Sequence, residues 1–246
     1  MRRMRAALGL ALAVAIAGAA AAQPQRYDAC LALAETDPRT ALEAAAQWIA
    51  DGGGAAARHC EAAAFANAGA PAQAARLLTT LGAEPGALPE TVRAAILLQA
   101  ADLYRSAGQP EAGEAAATGA VELDPRSVVS LATRAELRAE LKDWRGAAAD
   151  LDRALSLTAP EAGLLTLRAA AKRRSGRLLE ARSDALWALE LAPDRADAWL
   201  ELGSAHAALG ETDAARRAWI RAIETDTDGS VTPLARHRIQ AMEAGG

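Results

Sequence analysis

Large side chains are what this sequence has least of: five Trp, two Tyr and one Phe in 246 residues. A β-sandwich or barrel draws on alternating aromatic and β-branched residues, so that class is excluded early. Lysine is nearly absent as well, Lys142 and Lys172 being the two present, and the positive charge is carried by arginine. Histidine is confined to His59, His206 and His237, and cysteine to Cys30 and Cys60. Neither type forms a cluster at metal-ligand spacing, and no cofactor-binding pattern is read. Acidic residues outnumber basic ones, 31 to 27, for a net charge of −4. A chain of that sign is a poor match for a phosphate backbone, which argues against nucleic acid as a general partner. What remains is 52% hydrophobic, much of it alanine, with 24% charged residues. That is the composition of a core-forming protein made of helices that pack closely.

The first 22 residues read as a targeting segment. Arg2, Arg3 and Arg5 form a positive start, residues 6–17 an apolar stretch, and Ala20, Ala21 and Ala22 the small residues of a cleavage site. The run is short for the roughly 20 strongly apolar residues that a spanning helix needs, so a cleaved secretory signal is preferred over an anchor. Cys30 lacks the apolar lead of a lipoprotein site. The expectation is a soluble, exported, periplasmic protein that begins at Gln23 and has no stable membrane insertion after cleavage.

The rest of the chain repeats. A shift of 34 residues lays Ala147 on Ala181 and Ala215, Gly176 on Gly210, Ala154 on Ala188 and Ala222, and Leu165 on Trp199. A period of this size means a solenoid of helix pairs. The units are 55–88, 94–127, 128–161, 162–195 and 196–229, with a degenerate unit at about 25–50 and a capping helix at about 233–243. Residues 23–246 are expected to form one such domain. Interhelix turns fall near Gly69, Gly108, Lys142, Gly176 and Gly210, and Pro125 and Pro193 close two units. Antiparallel helices approach closely only where side chains are small, so Ala169 or Gly203 should face Ala181 or Ala215.

Residues 196–227, with Trp199, Leu202-Gly203, Gly210, Ala215, Trp219 and Ala222 at the signature spacings, resemble a tetratricopeptide repeat. The preceding unit, with Leu165, Ala169, Gly176, Ala181, Ala188 and Pro193, resembles another, and the likeness is strongest over residues 94–229. It implies an all-α, right-handed superhelical solenoid of five to six helix pairs whose concave wall is lined by the first helices. Such walls hold a peptide or a helix of a protein partner. The residues expected there are Leu98, Asp102 and Arg105; Ala132, Glu136 and Ala139; Thr166, Ala170 and Arg173; and Leu200, Ser204 and Ala207. The Lys and Asn set with which some family members clamp a chaperone's C-terminal carboxylate is missing. The resemblance thus implies a non-enzymatic interaction module or scaffold. The alternative is a dedicated subunit of an envelope biogenesis or secretion pathway, such as outer-membrane assembly, polysaccharide export or cytochrome maturation.

Two units carry charge in matched pairs. Arg134 and Arg168 occupy the seventh position, and Asp150 and Asp184 follow sixteen residues later, whereas the last unit has Leu202 and Ala218 at both places. Intra-repeat bridges explain the co-occurrence, since a partly buried guanidinium needs a planar carboxylate. A ligand role for the arginines is the other reading. The three histidines lie on separate helices and read as packing or surface residues. Gly52-Gly53-Gly54 reads as an interhelix turn rather than an anion nest, because the lysine and hydroxyl of a phosphate loop are missing. In an exported protein an isolated cysteine pair is usually a disulfide. Cys30 and Cys60 fall on the first helices of neighbouring repeats, which touch in this fold, so a bridge is expected, with two free thiols as the other possibility.

Overall fold

The computed structural model describes residues 24–86 and 88–244. The expected signal segment and its cleavage site lie outside the described residues. All regular structure among the described residues is helical. The helices are α1 Pro24–Thr36, α2 Pro38–Ala50, α3 Gly54–Asn67, α4 Pro71–Ala83, α5 Glu90–Ser106, α6 Pro110–Leu123 and α7 Val128–Glu140. They continue with α8 Trp144–Leu157, α9 Ala162–Arg174, α10 Leu178–Leu191, α11 Ala196–Ala208, α12 Thr212–Thr225 and α13 Thr232–Ala244. The chain divides into two compact units, one ending at Leu137 and the other starting at Arg138.

The same chemistry closes the first helix of each regular pair. Gly69, Gly108, Gly176 and Gly210 adopt positive φ, and Lys142 takes the same left-handed backbone at 64° in the third pair. The next residue then donates its N–H back across the last turn: Ala70 to Phe65, Gln109 to Tyr104, Asp143 to Arg138, Arg177 to Lys172 and Glu211 to His206, at 2.8–2.9 Å. These bonds satisfy carbonyls that the helix end would orphan. Lys142 pays the steric cost of its Cβ in that backbone, on the order of 1–2 kcal/mol. The second helices begin on prolines at Pro38, Pro71 and Pro110, where a missing N–H costs nothing.

The segment read as a degenerate repeat is a full helix pair. Asp37 alone separates α1 from α2, accepts from the Thr40 N–H at 3.2 Å and from its hydroxyl at 2.6 Å, and so caps α2. The turn is too short for the usual glycine, which is why the 34-residue register is lost there.

Each unit has its own core. In the first, Tyr27, Trp48, Leu81, Ile96, Tyr104 and Leu137 pack with many alanines. In the second, Leu165, Ala185, Leu189 and Leu202 form one cluster, and Leu200, Trp219, Val231 and Ala235 another. The close approach of α11 to α12 is visible at Gly203. A Cβ there would lie 2.4 Å from the Trp219 indole and 3.0 Å from the Ala215 carbonyl oxygen. The indole Nε1 donates to the Leu200 carbonyl at 3.3 Å, so the glycine makes room for the largest side chain in that cluster.

Candidate functional site

Two buried links tie α1 to α3. Cys30 and Cys60 are bridged, with Cα atoms 6.1 Å apart. One residue before Cys60, His59 is buried between two partners that α1 and α5 supply. The Tyr27 hydroxyl donates to Nδ1 at 2.8 Å, and Nε2 donates to the Gln99 side-chain oxygen at 2.9 Å. This arrangement uses both ring nitrogens of a neutral imidazole. Burial pushes His59 below its ordinary value of 6.5, and the Gln99 bond only partly opposes it. The unfolded chain therefore takes up a proton that the folded one refuses, so the stability is fully present above pH 6.5 and is lost as pH falls below it. The melting temperature of the first unit should drop between pH 7.5 and pH 5, and His59→Gln should flatten that slope. An equal slope in the variant would assign the acid sensitivity to other groups.

The first-helix positions expected to line a binding wall divide into two kinds. Leu98, Thr166, Leu200 and Ser204 are buried, none more than 7% exposed. The Thr166 hydroxyl donates to the Ala162 carbonyl at 2.8 Å, and the Ser204 hydroxyl to the Leu200 carbonyl at 2.7 Å. These four belong to the core, a correction to the surface role expected of them. Alanine-rich helices approach so closely that even short side chains at these positions are enclosed.

The charged positions remain partly open, but they neutralise one another. In the first unit Arg105 holds Asp102 at 2.8 Å and Glu136 at 2.9 Å. In the second, Arg173 on α9 takes Glu201 on α11 through Nε at 2.9 Å and a terminal nitrogen at 3.3 Å. The half-buried alanines Ala132, Ala139, Ala170 and Ala207 complete the set.

A denser ionic group lies inside the second unit. Arg168 donates to both oxygens of Asp184, at 2.8 and 2.7 Å, and to Asp152 at 2.9 Å. Lys172, one turn farther on α9, is buried and reaches Asp184 at 2.8 Å. Burial alone would lower the Arg168 guanidinium, but the hydrogen bonds and charges of Asp184 and Asp152 outweigh it and hold it raised. Asp150 accepts from Arg138 at 2.8 Å; Arg134 stands one turn earlier on α7, half-buried. Sequence reasoning gave neither Lys172 nor Arg138 a part in these ion pairs. The signal available for Lys172 was its position four residues after Arg168, which puts both on one face.

His206 is bonded through Nδ1 to Glu211, which also takes Arg182 at 2.8 Å, while His237 is exposed on α13. The glycine run is a turn: Gly52 and Gly53 donate their N–H groups to Ile49 and Trp48, closing α2, so two of the three donors of a nest are spent. An open apolar cavity of about 240 Å³ lies between α1 and α2, lined by Cys30, Leu33, Ala44 and Trp48. Among the described residues no three His, Cys, Asp or Glu gather to hold a metal, and no helix is long and apolar enough to cross a membrane.

Residues 196–228 match the tetratricopeptide repeat family. No curated protein sequence matches the chain. Among solved structures it is similar to MamA, at 19% identity and a TM-score of 0.58 over 67% of this chain and 94% of that one. A MamA from Desulfovibrio magneticus RS-1, residue 41 to its end, is 15% identical with a TM-score of 0.61, over 72% of this chain and 97% of its own. YrrB, described as a TPR protein with an unusual peptide-binding site, is 16% identical with a TM-score of 0.58, over 74% and 91%. At these identities the likeness is one of fold, and it fixes an all-α, tetratricopeptide-like solenoid architecture.

Proposed function

Because the chain is built of tetratricopeptide repeats, we propose that it is a non-enzymatic protein–protein interaction module that holds a peptide or helix of a partner against its first helices. The observation that carries this is in the second unit. There α11 lies between α9 and α13, sharing Leu202 with Leu165 of α9 in one cluster and Leu200 with Ala235 of α13 in the next. Ala170 and Ala207 on α9 and α11 are half-buried, which leaves a low floor between taller charged residues. A backbone can approach such a floor closely, and the flanking ion pairs supply polar contacts. The peptide-binding site in YrrB's description supports the reading by analogy of fold.

The module is exported to the periplasm as a soluble protein beginning at Gln23, and it scaffolds envelope proteins there. Support comes from the arginine-led apolar start with its alanine cleavage site and from the buried Cys30–Cys60 bridge, which suits an oxidising compartment.

One experiment tests surface and compartment together. A photoreactive side chain is placed at Ala170, at Ala207, or at Leu186 on the exposed apolar side of α10, the cells are irradiated, and the periplasmic protein is recovered and its N-terminus sequenced. Cross-links to the same partner from positions 170 and 207, on a chain that begins at Gln23, are expected. Cross-links from position 186 alone would move the binding surface to α10, where Leu179, Leu186, Trp187 and Leu191 are exposed. A retained Met1 on a membrane-bound species would overturn the export.

A further inference from the structure

The Cys30–Cys60 bridge is enclosed unevenly. Cys60 has no exposed surface, whereas Cys30 keeps 6% and lines the open cavity between α1 and α2. That cavity, of about 240 Å³, touches Cys30 and not Cys60, and its apolar walls are Ala29 and Leu33 of α1 and Ala44 and Trp48 of α2. Ala29 and Ala44 are themselves exposed, so the cavity opens to solvent beside the bridge. A bridge whose one task is to hold two helices together gains nothing from an open approach to one of its sulfurs. At the rim Arg26 is paired with Asp51 at 3.0 Å and lies 5.2 Å from the centre of the Trp48 ring. With the rim cation paired, the apolar walls decide what enters.

Access also decides which sulfur of a disulfide is attacked. Here the cavity offers Cys30 Sγ to an incoming thiolate and makes Cys60 the leaving sulfur. The new bond forms to Cys30 Sγ as the Cys30–Cys60 bond breaks, and the electron pair of the broken bond stays on Cys60. That sulfur takes a proton from water, because a thiolate in the alanine-rich cluster around it is costly. A second thiol then attacks the mixed disulfide at the incoming sulfur and releases Cys30 as a thiol. Two outside thiols are thus oxidised to a disulfide for one bridge reduced, and the reverse sequence makes the bridge. The Tyr27 hydroxyl bond to His59 Nδ1, at 2.8 Å, ties α1 to α3 independently of sulfur and keeps the two thiols within reach of each other.

We infer that Cys30 is a thiol-exchange site, through which the bridge is made and broken in the folded protein by a cysteine thiol borne on a short apolar segment of an exchange partner. The segment's apolar flanks lie against Leu33, Ala44 and Trp48, and its sulfur meets Cys30. Exchange then sets whether α1 and α3 are joined covalently, and so how readily the N-terminal repeats open.

The test reduces the native protein with acetyl-Leu-Cys-Leu-amide or acetyl-Ser-Cys-Ser-amide, each rate divided by that for oxidised glutathione. The Leu-flanked peptide should be about tenfold faster, the worth of burying part of one leucine. Its rate should stay nearly constant in urea below the unfolding transition, as expected of attack on the folded state. Ala44→Phe, at an exposed position, should slow it about tenfold with the melting temperature kept, while Ala46→Phe, exposed on the same helix but outside the cavity, should leave it unchanged. In Cys60→Ala, Cys30 should take up the peptide from its symmetrical disulfide, whereas in Cys30→Ala, Cys60 should stay unmodified until urea unfolds the chain. A rate that climbs with urea as stability falls would mean that the bridge opens only by unfolding, and overturns the site. So do equal rates for the two peptides, equal effects of the two phenylalanines, or a Cys60 that reacts as fast as Cys30.

Discussion

Asp184→Asn should cost the second unit about 3–5 kcal/mol, because it removes the carboxylate that holds two buried cations. The Asp184 and Lys172 side chains are each 7% exposed and Arg168 13%, so water cannot replace what is lost. Arg168 would keep Asp152 at 2.9 Å, but Lys172 would be left with Glu180 at 3.8 Å. The stranded ammonium, more than the arginine, is therefore the source of the penalty. Arg168→Leu should cost less, since Lys172 still pairs with Asp184. Replacing Arg168, Lys172 and Asp184 together by leucine should recover most of the loss, as buried ionic groups often exchange with apolar ones near neutrality. Urea unfolding of the four proteins, followed by circular dichroism, gives the ranking. An Asp184→Asn midpoint within about 1 kcal/mol of wild type would show that the group is well hydrated in solution.

The same cluster shows what the sequence can and cannot reveal. Arg168 and Asp184 were legible because charge appears at two fixed places in one repeat and is replaced by Leu202 and Ala218 at both places in another. A period carries that information. Lys172 was not legible as a partner, because helical spacing says which face a residue shares but not how deep that face lies. The missing depth also explains the wall residues. Leu98, Thr166, Leu200 and Ser204 sit on the expected helices, yet alanine and glycine opposite them, as at Gly203 and Ala215, draw the helices in until these positions close. The pairing of Glu136 with Arg105 and of Arg173 with Glu201 depends on contacts between successive first helices, 31 and 28 residues apart respectively. No repeat rule specifies such pairs, since each joins different positions of its two units. The Tyr27–His59–Gln99 relay lies in the least regular part of the chain and had no periodic signal at all. Helix order and the closing turns survive this loss of detail because they depend on local rules: positive φ at Gly69, Gly108, Gly176 and Gly210, and proline at helix starts.

Removing the Cys30–Cys60 bridge should lower the stability of the first unit by about 3–4 kcal/mol, the chain entropy released when a loop of this length is no longer closed in the unfolded state. The link spans 30 residues and joins α1 to α3 across the whole of α2. Cys60 is fully enclosed and Cys30 nearly so, hence Ala is the substitution that leaves no unmet hydroxyl in the core, and Cys30→Ala with Cys60→Ala is the cleaner variant. The Tyr27–His59–Gln99 bonds remain and keep α1 near its place, so the helices should still form, with the loss concentrated in how often they open. Repeats feel their neighbours and little beyond, which confines the effect. Hydrogen exchange should accelerate by two to three orders of magnitude over α1 to α4, in line with roughly 1.4 kcal/mol per tenfold change, while amides of α9 to α12 keep their wild-type rates. Equal acceleration in all helices would mean that the chain unfolds as one cooperative body. Unchanged exchange over α1 to α4 would mean that the His59 relay and the alanine packing, rather than the bridge, hold the N-terminal repeats together.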